Sequence, residues 1–190
     1  MARAGLTRER VADAAAALAD ERGLDALTLA ALAERVGVRQ PSLYKHIDSL
    51  AGLRRDLAVL AITQLTAVLT RAAVGRSGGD AVGAMAGAYR AWALEHPGRY
   101  AAAQRTPAPG DDEHEARAAA LVAVIADVLA VDGLEGDDAI DAIRGFRAMV
   151  HGFVSLESNG GFRLPVDVDR SFDRMVGGFV AAVARERPAP

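Results

Sequence analysis

A chain of 190 residues has room for one domain or two small ones. It is 51% hydrophobic and 25% charged, which excludes a disordered polypeptide. Its formal charge of −3 argues against non-specific coating of nucleic acid, and the lack of cysteine excludes disulfides, thiolate metal sites and thiol redox sensing.

Alanine dominates and aromatics make up only 5%, a composition that favours an all-α fold. The charge is uneven. Residues 1–55 carry nine Arg/Lys against seven Asp/Glu, a net of +2, and the remainder carries thirteen against eighteen, a net of −5. Only the N-terminal part tolerates a phosphate backbone. Lys45 is the sole lysine. No unbroken apolar run reaches about 18 residues, so no membrane span is expected. No apolar stretch precedes Thr7, so no signal peptide is expected and the cytoplasm is the expected compartment.

Residues 1–6 read as a short arm. Thr7 is placed to cap a helix that runs to Arg22, with Val11, Ala14, Ala15, Leu18 and Ala19 on one stripe and Gly23 as its stop. From Thr28 a second helix begins, its apolar positions Leu29, Leu32, Ala33 and Val36 falling at i, i+3, i+4 and i+7. Gly37 ends it, because glycine takes the left-handed conformation at little cost. Pro41 suits the first turn of a third helix over about Gln40 to His46. Leu43 and Ile47 face back onto the second helix, leaving Gln40, Ser42, Tyr44, Lys45 and His46 pointing elsewhere. Two short helices about a glycine turn, the second with a polar and aromatic outer face, form the helix-turn-helix pattern. In that pattern the second helix enters the DNA major groove.

Ser49 is placed to cap a longer helix from about Leu50 to Ala73, read as the bridge between two domains. Gly75 to Gly79 breaks it. A helix capped by Asp80 carries Met85, Tyr89, Trp92 and Ala93 up to His96-Pro97, where proline marks a boundary. Gly98 to Gln104 reads as one further short helix. After the loop Thr106 to Gly110, acids at 111, 112, 113 and 115 crowd the start of a helix through Leu129, as its dipole favours. Asp132-Gly133 and Glu135-Gly136 mark a turn. Helices over about Asp138–Glu157 and Asp169–Arg187 follow, separated by a glycine-rich loop. Their apolar load exceeds what one small core needs. Val150, His151, Phe153, Phe172, Val176, Phe179 and Val183 are therefore expected at a dimer interface, with Gly152 allowing close helix packing. Tyr89, Trp92, Phe146 and Met149 fit an apolar effector cavity, and fit ordinary core as well.

This layout resembles the TetR family of bacterial transcriptional repressors. The resemblance is strongest over Leu27 to Leu60, and Val38-Arg39-Gln40-Pro41-Ser42-Leu43-Tyr44-Lys45-His46 resembles the tetracycline repressor subgroup in particular. His151-Gly152-Phe153, Gly160-Gly161-Phe162 and Pro165 to Phe172 look like one class of the family's ligand-binding domains. Membership implies a helix-turn-helix domain over residues 1–50 and a ligand-binding and dimerisation domain over 51–190. It also implies a homodimer on palindromic operator DNA, released by a small-molecule effector, with no cofactor. The DNA-binding residues are then Thr28, Arg39, Gln40, Pro41, Ser42, Tyr44, Lys45 and His46. Gln40 has the chemistry to meet adenine N6 and N7, and Lys45 guanine O6 and N7. Tyr44 and His46 would donate to phosphates. The family often has a basic or hydroxyl residue after its Thr28 position and a lysine near position 50. Here stand Leu29, Ala30 and Leu50, so Arg39, Arg54 or Arg55 is expected to anchor phosphate instead.

An enzyme is not expected. Asp111-x-x-His114 has a metal-ligand spacing, but a carboxylate-bridged di-metal bundle needs two Glu-x-x-His copies and two further glutamates. No Gly-rich phosphate loop and no Gly-x-Ser-x-Gly elbow is present. The remaining alternative is a helical structural adaptor, which would bind no DNA and hold no occupied cavity.

Overall fold

A computed structural model describes residues 6–130 and 133–185. Among these residues all regular structure is helical: α1 (Arg8–Arg22), α2 (Leu29–Val36), α3 (Gln40–Leu43), α4 (Leu50–Ala73), α5 (Gly78–Glu95), α6 (Pro97–Ala103), α7 (Asp112–Ala130), α8 (Gly136–Ser158) and α9 (Val168–Arg185), with a 3-10 turn at Leu24–Ala26. The expected arm falls largely outside the described residues, as do Asp132 of the expected turn and the last two residues of the expected final helix. The starts follow local hydrogen bonding. The hydroxyls of Thr7, Thr28 and Ser49 accept from the backbone N–H of Arg10, Ala31 and Gly52, and the Asp167 carboxylate accepts from that of Arg170. Asp80, expected as a cap, lies inside the first turn of α5 instead. Gly37 closes α2 with φ 71°, the left-handed value that a side chain resists.

Packing divides the chain into two compact units that are not consecutive stretches. The first holds the described residues up to Thr63 together with Glu95–Arg117; the second holds Gln64–Leu94 and the described residues from Ala118 onward. The first is built around a core that includes Val11, Leu18, Leu32, Leu43, Ile47, Leu53 and Leu57, and α6 adds Ala102 to it. In the second, Met85 and Trp92 of α5, Ile125 and Leu129 of α7, Phe146 and Val150 of α8 and Phe172 of α9 are buried. Such burial contributes about 1.5–3 kcal/mol for each large side chain.

Among the described residues α4 is long and apolar enough to cross a membrane, with hydropathy 1.3 over its best window, a third of it buried. Its apolar sequence is not unbroken, because Thr63, Gln64 and Thr66 interrupt it. The helix uses its apolar face inside protein: Leu53, Leu57, Leu65 and Leu69 are all buried.

Candidate nucleic-acid interface

The helix-turn-helix is set from within. Leu43 and Ile47 are buried in the first unit's core, which fixes how α3 sits on α2. Arg39 caps α3 through its carbonyl, which accepts the Ser42 N–H at 2.8 Å, and Pro41 occupies the first turn. The helix is shorter than expected. It ends at Leu43, and Tyr44 to His46 form a turn closed by the His46 and Ile47 N–H groups on the Leu43 carbonyl. Arg39, Gln40, Pro41, Tyr44 and Lys45 are exposed, as is Thr28, while Ser42 and His46 are half-buried. Tyr44 keeps 54% of its surface open.

The alternative phosphate anchors separate. Arg54 donates to the Leu27 carbonyl at 3.2 Å, where it ties α4 to the start of α2. Arg55 makes a fork with Asp111 at 2.9 and 2.6 Å and reaches Glu113 at 2.8 Å and Asp56 at 3.2 Å. That guanidinium holds the Asp111 carboxyl down at about 2. Both arginines are thus committed to protein carboxylates or carbonyls, and Arg39 is the expected anchor that stays exposed. His114 is 3% exposed, with Nδ1 3.9 Å from Asp111, and among the described residues no three His, Asp or Glu side chains gather as metal ligands.

In the second unit Tyr89, Trp92 and Phe146 are buried and Met149 is half-buried. Val150, Phe153, Phe172, Val176 and Val183, expected to meet a second copy, are instead covered within one chain, and Phe179 is half-buried 6.0 Å from Phe146. An apolar stripe on a helix packs first against its own chain, so α8 and α9 use their stripes on each other and on the core. Of that set His151 is exposed. Arg90 of α5 was not singled out from the sequence. It forks onto Glu157 at 2.7 and 2.6 Å, reaches Asp169 at 2.7 Å, and lies over the rings of Phe172 and Phe153 at 4.9 and 5.5 Å. The clue was available: Arg90 is the sole basic residue of α5. Beside it a groove of about 640 Å³ opens along Gly79, Gly83 and Gly87 of α5 and Phe172 and Val176 of α9.

Two short helices joined by a left-handed glycine, with an exposed polar face on the second and an all-helical remainder, define a DNA-binding regulator of the helix-turn-helix class. Residues 11–56 match the family of bacterial regulatory proteins called tetR, and residues 82–179 match the tetracyclin repressor-like C-terminal domain. The chain belongs to the TetR family of transcriptional regulators, and it is not an enzyme. It is 42% identical to the HTH-type transcriptional regulator Rv0681 of Mycobacterium tuberculosis, over 96% of this chain and 84% of that one. Over 56 residues it is 46% identical to the class D tetracycline repressor protein of Escherichia coli, covering 30% of this chain and 26% of that one. The crystal structure of the regulatory protein SCO4313 superposes with a TM-score of 0.74 at 28% identity, covering 92% of this chain and 95% of that one.

Proposed function

We propose that this regulator is a cytoplasmic, ligand-responsive repressor that binds a palindromic operator as a homodimer and leaves it when a small-molecule effector binds. The observation that carries the reading is the outer face of α3 and its following turn. Gln40, Pro41, Tyr44 and Lys45 are exposed while Leu43 and Ile47 anchor the same segment in the core. Gln40 and Lys45 read base edges; Thr28, Arg39, Tyr44 and His46 hold phosphates; Pro41 and Ser42 meet a thymine methyl or a phosphate. Residues 1–50 form the reading domain and 51–190 the ligand-binding and dimerisation domain. Tyr89, Trp92, Phe146 and Met149 supply the apolar surroundings of a mainly hydrophobic effector. That molecule acts only through its difference in affinity between the operator-competent and released states.

Selection of bound duplexes from a random DNA pool by the purified protein tests this. Enrichment of a palindrome with half-sites one helical turn apart is the expected result. Enrichment of nothing, or of sequences without two-fold symmetry, would sink the reading.

A further inference from the structure

The first compact unit holds an open pocket of about 650 Å³, within the range of about 300–1,000 Å³ that small-molecule sites occupy. Its apolar floor includes Ile47, which closes the turn after α3, and Leu53 and Leu60 of α4. Ile47 and Leu53 are 5% and 2% exposed, so that floor is core structure already in place and no ligand has to assemble it. The lip of the pocket is ionic. Arg8 and Glu9 stand in the first turn of α1, Arg55 and Asp56 in α4, and Glu113 in the first turn of α7. Both cations are engaged. Arg8 holds Asp56 at 2.6 Å, and Arg55 holds Asp111 at 2.6 Å, Glu113 at 2.8 Å and Asp56 at 3.2 Å. Glu9 makes no ion pair among the described residues. The lining thus sets two guanidiniums against three carboxylates, a net of −1.

We infer that this pocket is a second small-molecule site, selective for amphipathic organic cations, with the apolar body of the ligand on Ile47, Leu53 and Leu60 and its ammonium group at Glu9 and Glu113. Charge complementarity decides the class. An anion would meet guanidiniums that already hold carboxylates and would have to displace them. A cation meets Glu9, which has no cation to lose, and the open side of Glu113, whose side chain is 55% exposed. Pairs between exposed charges are weak, so the apolar floor supplies most of the affinity and the carboxylates supply the preference among head groups. The site lies within the first unit, whereas Tyr89, Trp92, Phe146 and Met149 of the proposed effector cavity belong to the second. Binding there needs no contact between α3 and DNA.

Three probes of matched chain length test this on the full-length protein: octylammonium, octanol and octanoate. Each is titrated while the methyl resonances of Ile47, Leu53 and Leu60 are followed by NMR. Saturable shifts at these methyls are expected, with octylammonium binding about tenfold tighter than octanoate and octanol between them. That preference should shrink as salt is raised, because the carboxylates at the lip are open to solvent. Glu9→Gln should weaken octylammonium about threefold and leave octanol unchanged. Arg8→Gln removes a cation and releases Asp56, so it should strengthen octylammonium by a similar factor, a change of sign that partial unfolding cannot produce. Three results would overturn the inference: no saturable shift at the three methyls, even where Trp92 emission responds; equal binding of all three probes; or a preference for octanoate. Selection of DNA from a random pool reads the operator proposal separately, so either can fail alone.

Discussion

Arg39 and Gln40 are adjacent, both exposed, and meet DNA in different ways on the proposed reading. Loss of a bidentate base contact is worth about 1–3 kcal/mol and relaxes preference at one position. Gln40→Ala should therefore change the base tolerated at one position, symmetrically in both half-sites. Arg39→Ala should weaken all sequences alike and make the salt dependence shallower by about one unit for each contact. Titrations on operator variants at several salt concentrations separate the two; an even loss from Gln40→Ala would mean that α3 docks otherwise. Asp111 gives a second prediction at this scale. Hydrogen bonding to Arg55 lowers its pKa from the ordinary 3.8 to about 2. A depressed carboxylate stabilises the folded state above its ordinary value, and that contribution fades as pH falls from 3.8 to about 2. Asp111→Asn should be less stable than the parent at neutral pH, with the difference shrinking across that acid window. Urea unfolding at stepped pH reads it, and a difference that persists at the acid end would remove Arg55 as the cause.

Two glycines of similar appearance in the sequence should respond in opposite directions. Gly98 sits against the Ala19 backbone, so Gly98→Ala forces α6 away from α1 and should destabilise by about 1–3 kcal/mol. Gly83, inside α5, has nothing within 4 Å of where a Cβ would stand, so Gly83→Ala should raise the melting temperature through helix propensity of up to about 1 kcal/mol. Thermal unfolding of both decides, and destabilisation by Gly83→Ala would mean that its side of the helix is covered in the working protein. What the sequence made legible were features set within a few residues. Caps at Thr7, Thr28 and Ser49, the stop at Gly37 and the limits of α4 all rest on local hydrogen bonding or on the allowed backbone of one residue. The early end of α3 was not legible, because a continuing polar face looks alike on a helix and on a turn. Nor were the Arg90–Glu157 and Arg99–Asp20 pairs, whose members lie 67 and 79 residues apart and meet only through packing. The stripes on α8 and α9 showed which faces are buried but not by what. Val150 and Phe172, expected at a partner, are buried within the single chain.

At the scale of the whole molecule, the proposed homodimer would use the other side of those two helices. Ala148, His151 and Ser155 of α8 and Gly178 and Ala181 of α9 are exposed, and small side chains there permit close approach between helices. Ala148→Glu combined with Ala181→Glu should give monomers with native helix content and operator affinity reduced by a hundredfold or so, since each half-site then binds alone. Sedimentation that still shows a dimer would place the interface elsewhere. Trp92, the sole tryptophan, is buried in the second unit. A verified inducer should shift its emission, and Trp92→Leu should weaken that inducer. An inducer indifferent to both would show that the effector lies away from α5 at this level.

The exposure of Lys45 has a practical consequence. With a single lysine in 190 residues, the ε-amino group of Lys45 is the one side-chain amine in the protein. Reductive methylation with labelled formaldehyde would therefore place one ε-dimethylamino resonance on the proposed DNA-facing turn and a second, separable one on the α-amine. The charge survives this modification, so the label can follow salt, operator and inducer without itself abolishing attraction to phosphate. Acylation of the same amine removes the charge, and the contrast between the two treatments would isolate what that single cation contributes to operator capture.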